Sequence, residues 1–295
     1  MQIMTNDVVA VILAAGWGTR LLPATKAVPK EVFPLVDRPL IQYTLEEVVD
    51  SGISHAVIVT ARGKDAIQAY FDRVPELEQL LESRGDSALL ASLQRLIENC
   101  DFSFVRQREQ LGIGHAVKVA RHAIGHKVFA LCFPDDVIAS DVPVTQQLLD
   151  VHERYGGASV LAVERVPREH ISRYGIVDVE PVEPGVFRVR GLVEKPSPDD
   201  APSDLGIVGR YVLTPGIHAA IDRTEPGANN ELQITDALQI LLDKEPVYAC
   251  AFEGTRYDTG NHLGFLKTQV ALALRRPDMR EQVRSFLQEL LAEQD

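Results

Sequence analysis

The chain has 295 residues, 45% of them hydrophobic and 24% charged, which is enough to bury a full-sized core, and its formal net charge is −12. That balance disfavours non-specific attraction to nucleic acid or an anionic membrane, so a phosphate ligand must be met by locally clustered cations. No apolar run approaches the ~20 residues of a membrane span, the opening MQIMTNDVV lacks the basic-then-apolar pattern of a secretory signal, and the three scattered cysteines (Cys100, Cys132, Cys250) read as reduced core thiols, so a cytoplasmic protein is expected.

Strands and helices alternate along the chain. Residues 8–15 (VVAVILAA) form the continuous β-branched run of a strand buried on both faces, 39–51 read as a helix ended by Gly52, and 55–61 (HAVIVTA) as a second buried strand. A helix near 64–72, a strand at 102–106, a helix near 113–123 and a strand at 127–133 ending in PDD continue the pattern. Between 75 and 100, leucines at helical spacing broken by Gly85 predict a helical hairpin inserted into the sheet. Strands at 158–164, 176–180, 187–194 and 206–213, with turn signals such as Glu183-Pro184-Gly185, suit an antiparallel extension. The last segment, about 278–294, has Asp278 as a cap-like residue and Val283, Phe286, Leu287, Leu290 and Leu291 on one stripe, which reads as a packing helix or a subunit contact. The expected fold is therefore α/β and Rossmann-like: a mostly parallel mixed sheet flanked by helices, with a helical insertion and an antiparallel extension, in one domain over 1–295.

The loop after the first strand, LAAGWGTRLLPATKAVPKEVFPL (13–35), has two glycines followed by Arg20, Lys26 and Lys30. A dinucleotide fingerprint needs a third glycine opening a helix, but Leu21 and Pro23 occupy that stretch; a P-loop needs glycine directly before Lys and Ser/Thr, and this is absent too. What remains is a glycine turn with exposed N–H groups, Thr19, and three cations spaced to follow an extended anion. A plain turn with a solvated basic face is the competing reading. The position at the carboxyl end of a buried strand favours the ligand site, because open α/β sheets bind there.

The stretch GWGTRLLPATKAVPKEVFPLVDRPLIQY resembles the signature of the sugar-1-phosphate nucleotidylyltransferases. With VRQREQLGIGHAV, FPDDVI, RYGIVDVE, LVEKP, IVGRYVLTP and YDTGNHLGFL in the same order, the likeness spans about residues 8–270 and is nearest to the bacterial uridylyltransferases acting on UTP and glucose 1-phosphate. The sequence departs from their pattern at Trp17, where a smaller residue is common, in NNELQITDA, and in DTG for DCG.

The resemblance implies formation of UDP-glucose by attack of the sugar phosphate on the α-phosphate, with pyrophosphate leaving. Such a displacement needs positioning and charge neutralisation rather than a Ser, Cys or His nucleophile, since a phosphate monoester with a second pKa near ~6 arrives as a dianion. It implies Mg²⁺ held by Asp135 and Asp258, Arg20 and Lys30 on the triphosphate, and Lys195 on the sugar phosphate with Glu194 accepting from sugar hydroxyls. Gly175, Val208 and Gly209 would complete the sugar-phosphate side. Ala14, Ala15, Gly16, Gly18, Thr19, Lys26, Gln107, Gly112, His115 and Asp136 would serve the nucleotide. A homodimer or homotetramer is expected, with no nucleic-acid or membrane partner. A thymidylyltransferase shares these parts, but ATKAVPKE and the helical insertion favour uridylyl transfer; the intact Arg20, Lys30, Asp135, Lys195 and Asp258 argue against a silent regulatory paralogue.

Overall fold

The computed structural model describes residues 7–227 and 230–293. Strand β1 (Val9–Leu13) is the reference for the fold. Its side chains alternate between two apolar environments: Val9 and Val11 join one core cluster with Val57 and Phe129, while Ala10 and Ile12 join the other with Ile41 and Ile58. A strand covered on both faces has no polar side, which is why its sequence shows no alternation. Burying each Val or Ile contributes about 1.5–3 kcal/mol.

After β1 the chain makes three short 3-10 turns and a small hairpin, β2 (Pro34–Leu35) with β3 (Arg38–Pro39), and then enters α1 (Leu40–Asp50). Parallel strand β4 (His55–Thr60) follows. The crossover to β5 (Asp101–Arg106) carries α2 (Asp65–Phe71), α3 (Pro75–Arg84) and α4 (Ser87–Asn99), so the expected helical hairpin lies in a connection between adjacent parallel strands and Gly85 turns it at φ 75°. Helix α5 (Gly112–Ile124) then leads back to β6 (Phe129–Cys132), which pairs parallel to the other edge of β1.

The strand beginning at Asp136 is one that sequence reading left as the end of PDD: β7 (Asp136–Ala139). Helix α6 (Val144–Arg154), β8 (Ser159–Arg165), the hairpin β9 (Gly175–Glu183) and β10 (Val186–Glu194), and β11 (Leu205–Leu213) come next. Helices α7 (Gly216–Arg223) and α8 (Ile234–Leu242), β12 (Val247–Ala251), β13 (Thr255–Asp258), α9 (His262–Arg275) and α10 (Arg280–Ala292) complete the described chain. The nine-stranded sheet runs β5-β4-β1-β6-β11-β8-β12-β10-β9. Its first four strands are mutually parallel, β8 and β12 are parallel, and the antiparallel pairs cluster around β11 and the β9–β10 hairpin.

Two features position a site. The chain grows from β1 outward through β4 to β5, then returns to the other side of β1 at β6, so the loops leaving β1 and β6 diverge and open a crevice at their carboxyl ends. Separately, β7 and β13 form an antiparallel ribbon in which Asp136 lies opposite Asp258. That register brings two distant acidic segments to the mouth of the crevice.

The C-terminal helix corrects one expectation. α10 starts at Arg280, its N-cap position is Met279 without a side-chain cap bond, and Asp278 is drawn instead into an ion pair with Arg276. Position 294 of the expected span lies outside the described residues. All three cysteines are buried and free, with the Cys132 thiol pushed up to about 12 by burial. Among the described residues no helix is long and apolar enough to cross a membrane.

Candidate active site

The crevice holds two joined lobes. One is a cavity of about 860 Å³, the other about 440 Å³, and Arg20, Asp135, Glu194 and Lys195 border both. Ile113, Phe133 and Gln233 border both as well, so the junction sets four charged side chains beside two apolar ones while the lobes extend toward different parts of the fold.

The smaller lobe is built by the loop after β1. Ala14 is buried and its N–H continues the ladder to Val59 O, so it supports the loop without facing the lobe, whereas Ala15 and Gly16 line it. Gly18 adopts φ 65° and its carbonyl accepts from Thr25 Oγ1 at 2.9 Å, which folds the loop back on itself; Thr19, exposed, opens the next turn and borders neither lobe. Lys30 donates to Asp135 Oδ2 at 2.6 Å. Burial alone would raise the Asp135 carboxyl, but the Lys30 ammonium holds it below the ordinary carboxylate range and is itself raised in return.

Behind Lys30 sits a pair that sequence reading missed. Glu31 is 0% exposed, and both its carboxylate oxygens accept from Lys64 Nζ, at 2.8 and 2.7 Å. Burial raises Glu31 and lowers Lys64, which offsets part of their attraction. The far wall carries Gln107, nearly buried, whose Nε2 lies 3.0 Å from His115 Nδ1 and 3.3 Å from Gly112 O. His115 thus stands behind Gln107 and orients its amide rather than lining the lobe. Gly112 has φ 90°, and a side chain there would meet Leu232 O at 2.7 Å, so the close passage of residues 231–232 requires the glycine.

In the larger lobe the β7–β13 ribbon matters most. Thr259 N–H and Oγ1 both donate to Asp135 O, at 2.9 and 2.8 Å, and Gly260 N–H donates to Asp258 Oδ1 at 2.8 Å. A methyl group built on Gly260 would sit 2.9 Å from Arg20 Nη2, 3.0 Å from Asp258 Oδ1 and 3.2 Å from Asp135 Oδ2. Two carboxylates and a guanidinium therefore converge on Gly260 more closely than a side chain there would allow. The two carboxylates suit a hard dication that keeps several waters and shares phosphate oxygens, while the Arg20 guanidinium suits the phosphate itself. Among the described residues no group of three or more His, Cys, Asp or Glu gathers as a closed protein cage.

Asp136, expected to serve the nucleotide, is held by the scaffold. Its Oδ1 accepts from Arg256 at 2.6 Å and its Oδ2 from Gly209 N–H at 2.8 Å, so both oxygens are committed to the scaffold, although the residue still borders the larger lobe. Arg256 also donates to Glu164 Oε1 and Tyr174 Oη, both at 2.7 Å, and lies over the Tyr174 ring. Buried Arg210 performs a similar task one layer deeper: it bonds Glu47 of α1 and the carbonyls of Phe133 and Asp136. Neither arginine was legible as part of a site, because each stands alone in its stretch of sequence.

The opposite wall of this lobe is formed by the expected Gly175, Glu194, Lys195, Val208 and Gly209. Glu194 Oε2 accepts from Thr235 Oγ1 at 2.7 Å, while Oε1 lies 3.0 Å from Lys195 Nζ. Lys195 has φ 46°, unusual for a residue with a side chain, and its N–H donates to Tyr174 O at 3.0 Å. This kinked backbone turns the half-exposed ammonium toward the junction of the lobes. Lys26 is the expected residue that goes elsewhere: it lines a separate cavity with Trp17.

The model of the family described as nucleotidyl transferase matches residues 9–274. The chain belongs to the nucleotidyl transferase family. This nucleotidyl transferase is 46% identical over 281 residues to the UTP–glucose-1-phosphate uridylyltransferase of Staphylococcus epidermidis, covering 95% of the chain and 97% of that relative. It is similar to a crystal structure of UDP-glucose pyrophosphorylase complexed with UDP-glucose (TM-score 0.83, 40% identity, 91% of this chain and 99% of that one). It is also similar to a UTP-bound UGPase from Acinetobacter baumannii (TM-score 0.86, 37% identity, 96% and 99%). Nucleotidyl transferases generally use a divalent metal, in keeping with the paired carboxylates at Gly260.

Proposed function

We propose that the chain transfers the uridylyl group of UTP to α-D-glucose 1-phosphate, giving UDP-glucose and pyrophosphate. The observation that carries this is the junction where Asp135, Asp258 and Arg20 converge beside Gly260 between two lobes, one bordered by Lys30 and Gln107 and the other by Gly175, Val208 and Gly209, with Glu194 and Lys195 bordering both. Two bound substrates would meet there.

Gln107 and Gly112 face the pyrimidine, and Ala15 and Gly16 pass beneath the nucleotide. Arg20 and Lys30 neutralise the triphosphate and then the departing pyrophosphate, Lys30 exchanging Asp135 for phosphate oxygen. Lys195 holds the sugar phosphate dianion, and Glu194 accepts from sugar hydroxyls while Gly175, Val208 and Gly209 shape the pocket. Asp135 and Asp258 would hold Mg²⁺, which supplies charge neutralisation at the α-phosphate. The attacking phosphate oxygen displaces pyrophosphate in line, and no side chain acts as a nucleophile. The protein works in the cytoplasm as a single-domain subunit of a homodimer or homotetramer.

Pyrophosphate release measured across UTP, dTTP and several sugar 1-phosphates tests the reading. UTP with glucose 1-phosphate is expected to be turned over fastest, and excess EDTA to abolish release until Mg²⁺ is restored. UTP and dTTP differ by the 5-methyl group, worth about 1–3 kcal/mol in a base pocket, and by the ribose 2′-hydroxyl, so the preference over dTTP is expected to be about tenfold or more. Equal or faster turnover of dTTP, or full activity in excess EDTA, overturns the corresponding assignment.

A further inference from the structure

Lys26 lines a cavity of about 400 Å³ distinct from the two lobes, bordered also by Trp17, Lys30, Arg62 and Lys64. Four cations face this space and no carboxylate lines it. Two are neutralised from behind, Lys30 by Asp135 at 2.6 Å and Lys64 by Glu31 at 2.7 Å. The side chains of Lys26 and Arg62 form no ion pair among the described residues. Holding unpaired positive charges together costs Coulombic repulsion, which a bound polyanion would offset.

Trp17 adds the second half of the recognition. It stands 65% exposed on the same cavity. An exposed indole is a face on which a base of any kind stacks. Phosphate groups suit the lysine and the guanidinium, and the cavity is of the size that holds a small ligand. An aromatic face beside free cations matches a nucleotide rather than a bare phosphate or a sugar phosphate.

We propose that the Trp17–Lys26–Arg62 cavity is a second binding site for a nucleoside di- or triphosphate, with the base on the indole and the phosphates on Lys26 and Arg62. Because Lys30 borders both this cavity and the nucleotide lobe, its occupant lies one side chain away from Asp135.

Calorimetric titration of the intact protein with UTP and Mg²⁺, without glucose 1-phosphate so that nothing turns over, tests this. Two UTP per chain are expected for the wild type and one for Arg62→Gln, whose exposed side chain leaves folding intact and borders neither lobe of the crevice. Trp17 is the chain's only tryptophan, so its fluorescence reads the cavity directly; the UTP-dependent change is expected to be lost or shifted at least tenfold in Arg62→Gln while the KM for UTP stays unchanged. The same stoichiometry and fluorescence curve in both proteins overturns the proposal. The count also separates it from the reading of the main site: one UTP in wild type and none in Arg62→Gln removes the main site and keeps this one, whereas one in each removes this one.

Discussion

Lys195 illustrates how a single residue is fixed from three sides. Its backbone is held at φ 46° by the bond to Tyr174 O, its ammonium is held 3.0 Å from Glu194, and it borders both lobes. Lys195→Ala is expected to leave the Kd for UTP nearly unchanged while raising the KM for glucose 1-phosphate and lowering kcat, a charge-assisted phosphate contact being worth about 1.5–3 kcal/mol. Lys195→Arg is expected to restore only part of the activity, since a planar guanidinium does not replace a compact ammonium. Steady-state kinetics on the three proteins check this, and wild-type constants in Lys195→Ala would make the residue an ordinary turn lysine. Lys195, Asp135 and Asp258 were legible only through the resemblance of the short motifs in which they stand, and their roles are expectations from it. Arg256, Arg210 and the Glu31–Lys64 pair were not, because their meaning comes from residues roughly thirty to over a hundred and sixty positions away.

At the scale of elements, burial patterns decided what could be read. In the parallel half, β1 and β4, apolar on both faces, were visible from β-branched runs alone. α6, α7, α8 and the β7–β13 ribbon were passed over, since short segments carry little periodicity and a four-residue strand beside PDD looks like a turn. Arg210 is what joins these pieces: 1% exposed, it ties β11 to α1 through Glu47 and to the turn before β7. Arg210→Met leaves the Glu47 carboxylate buried without its partner and is expected to cost about 3–5 kcal/mol in urea unfolding. A loss below about 1 kcal/mol would show that Glu47 finds another partner. Helix α7 carries a second test. His218 is stacked on Phe129 with both ring nitrogens buried and unbonded, and burial lowers its pKa to about 4. The unfolded chain takes up that proton near ~6.5 and the folded one resists it, so stability is expected to fall as pH drops from ~6.5 toward 4. Denaturant midpoints across that window check the slope, which is expected to flatten in His218→Phe; an unchanged slope in that variant would place the proton uptake elsewhere, at His152 for instance.

For the whole molecule, the apolar stripe predicted near the C-terminus has no covering layer among the described residues. α10 packs on α9, yet Phe286, Leu290 and Leu291 of α10, with Leu263 and Leu266 of α9, remain exposed. With a subunit contact there, light scattering is expected to give a dimer or tetramer that Phe286→Glu with Leu291→Glu dissociates; a wild-type monomer would refute the assembly. The two-lobed crevice is proposed to bring both substrates together so that one phosphate oxygen attacks directly. Exchange of radiolabelled pyrophosphate into UTP measures this. If transfer is direct and no side chain carries the uridylyl group, label is expected to enter UTP only when glucose 1-phosphate is present, at a rate that rises with its concentration. Exchange at full rate without glucose 1-phosphate would require a uridylyl group carried on the protein and would contradict direct transfer.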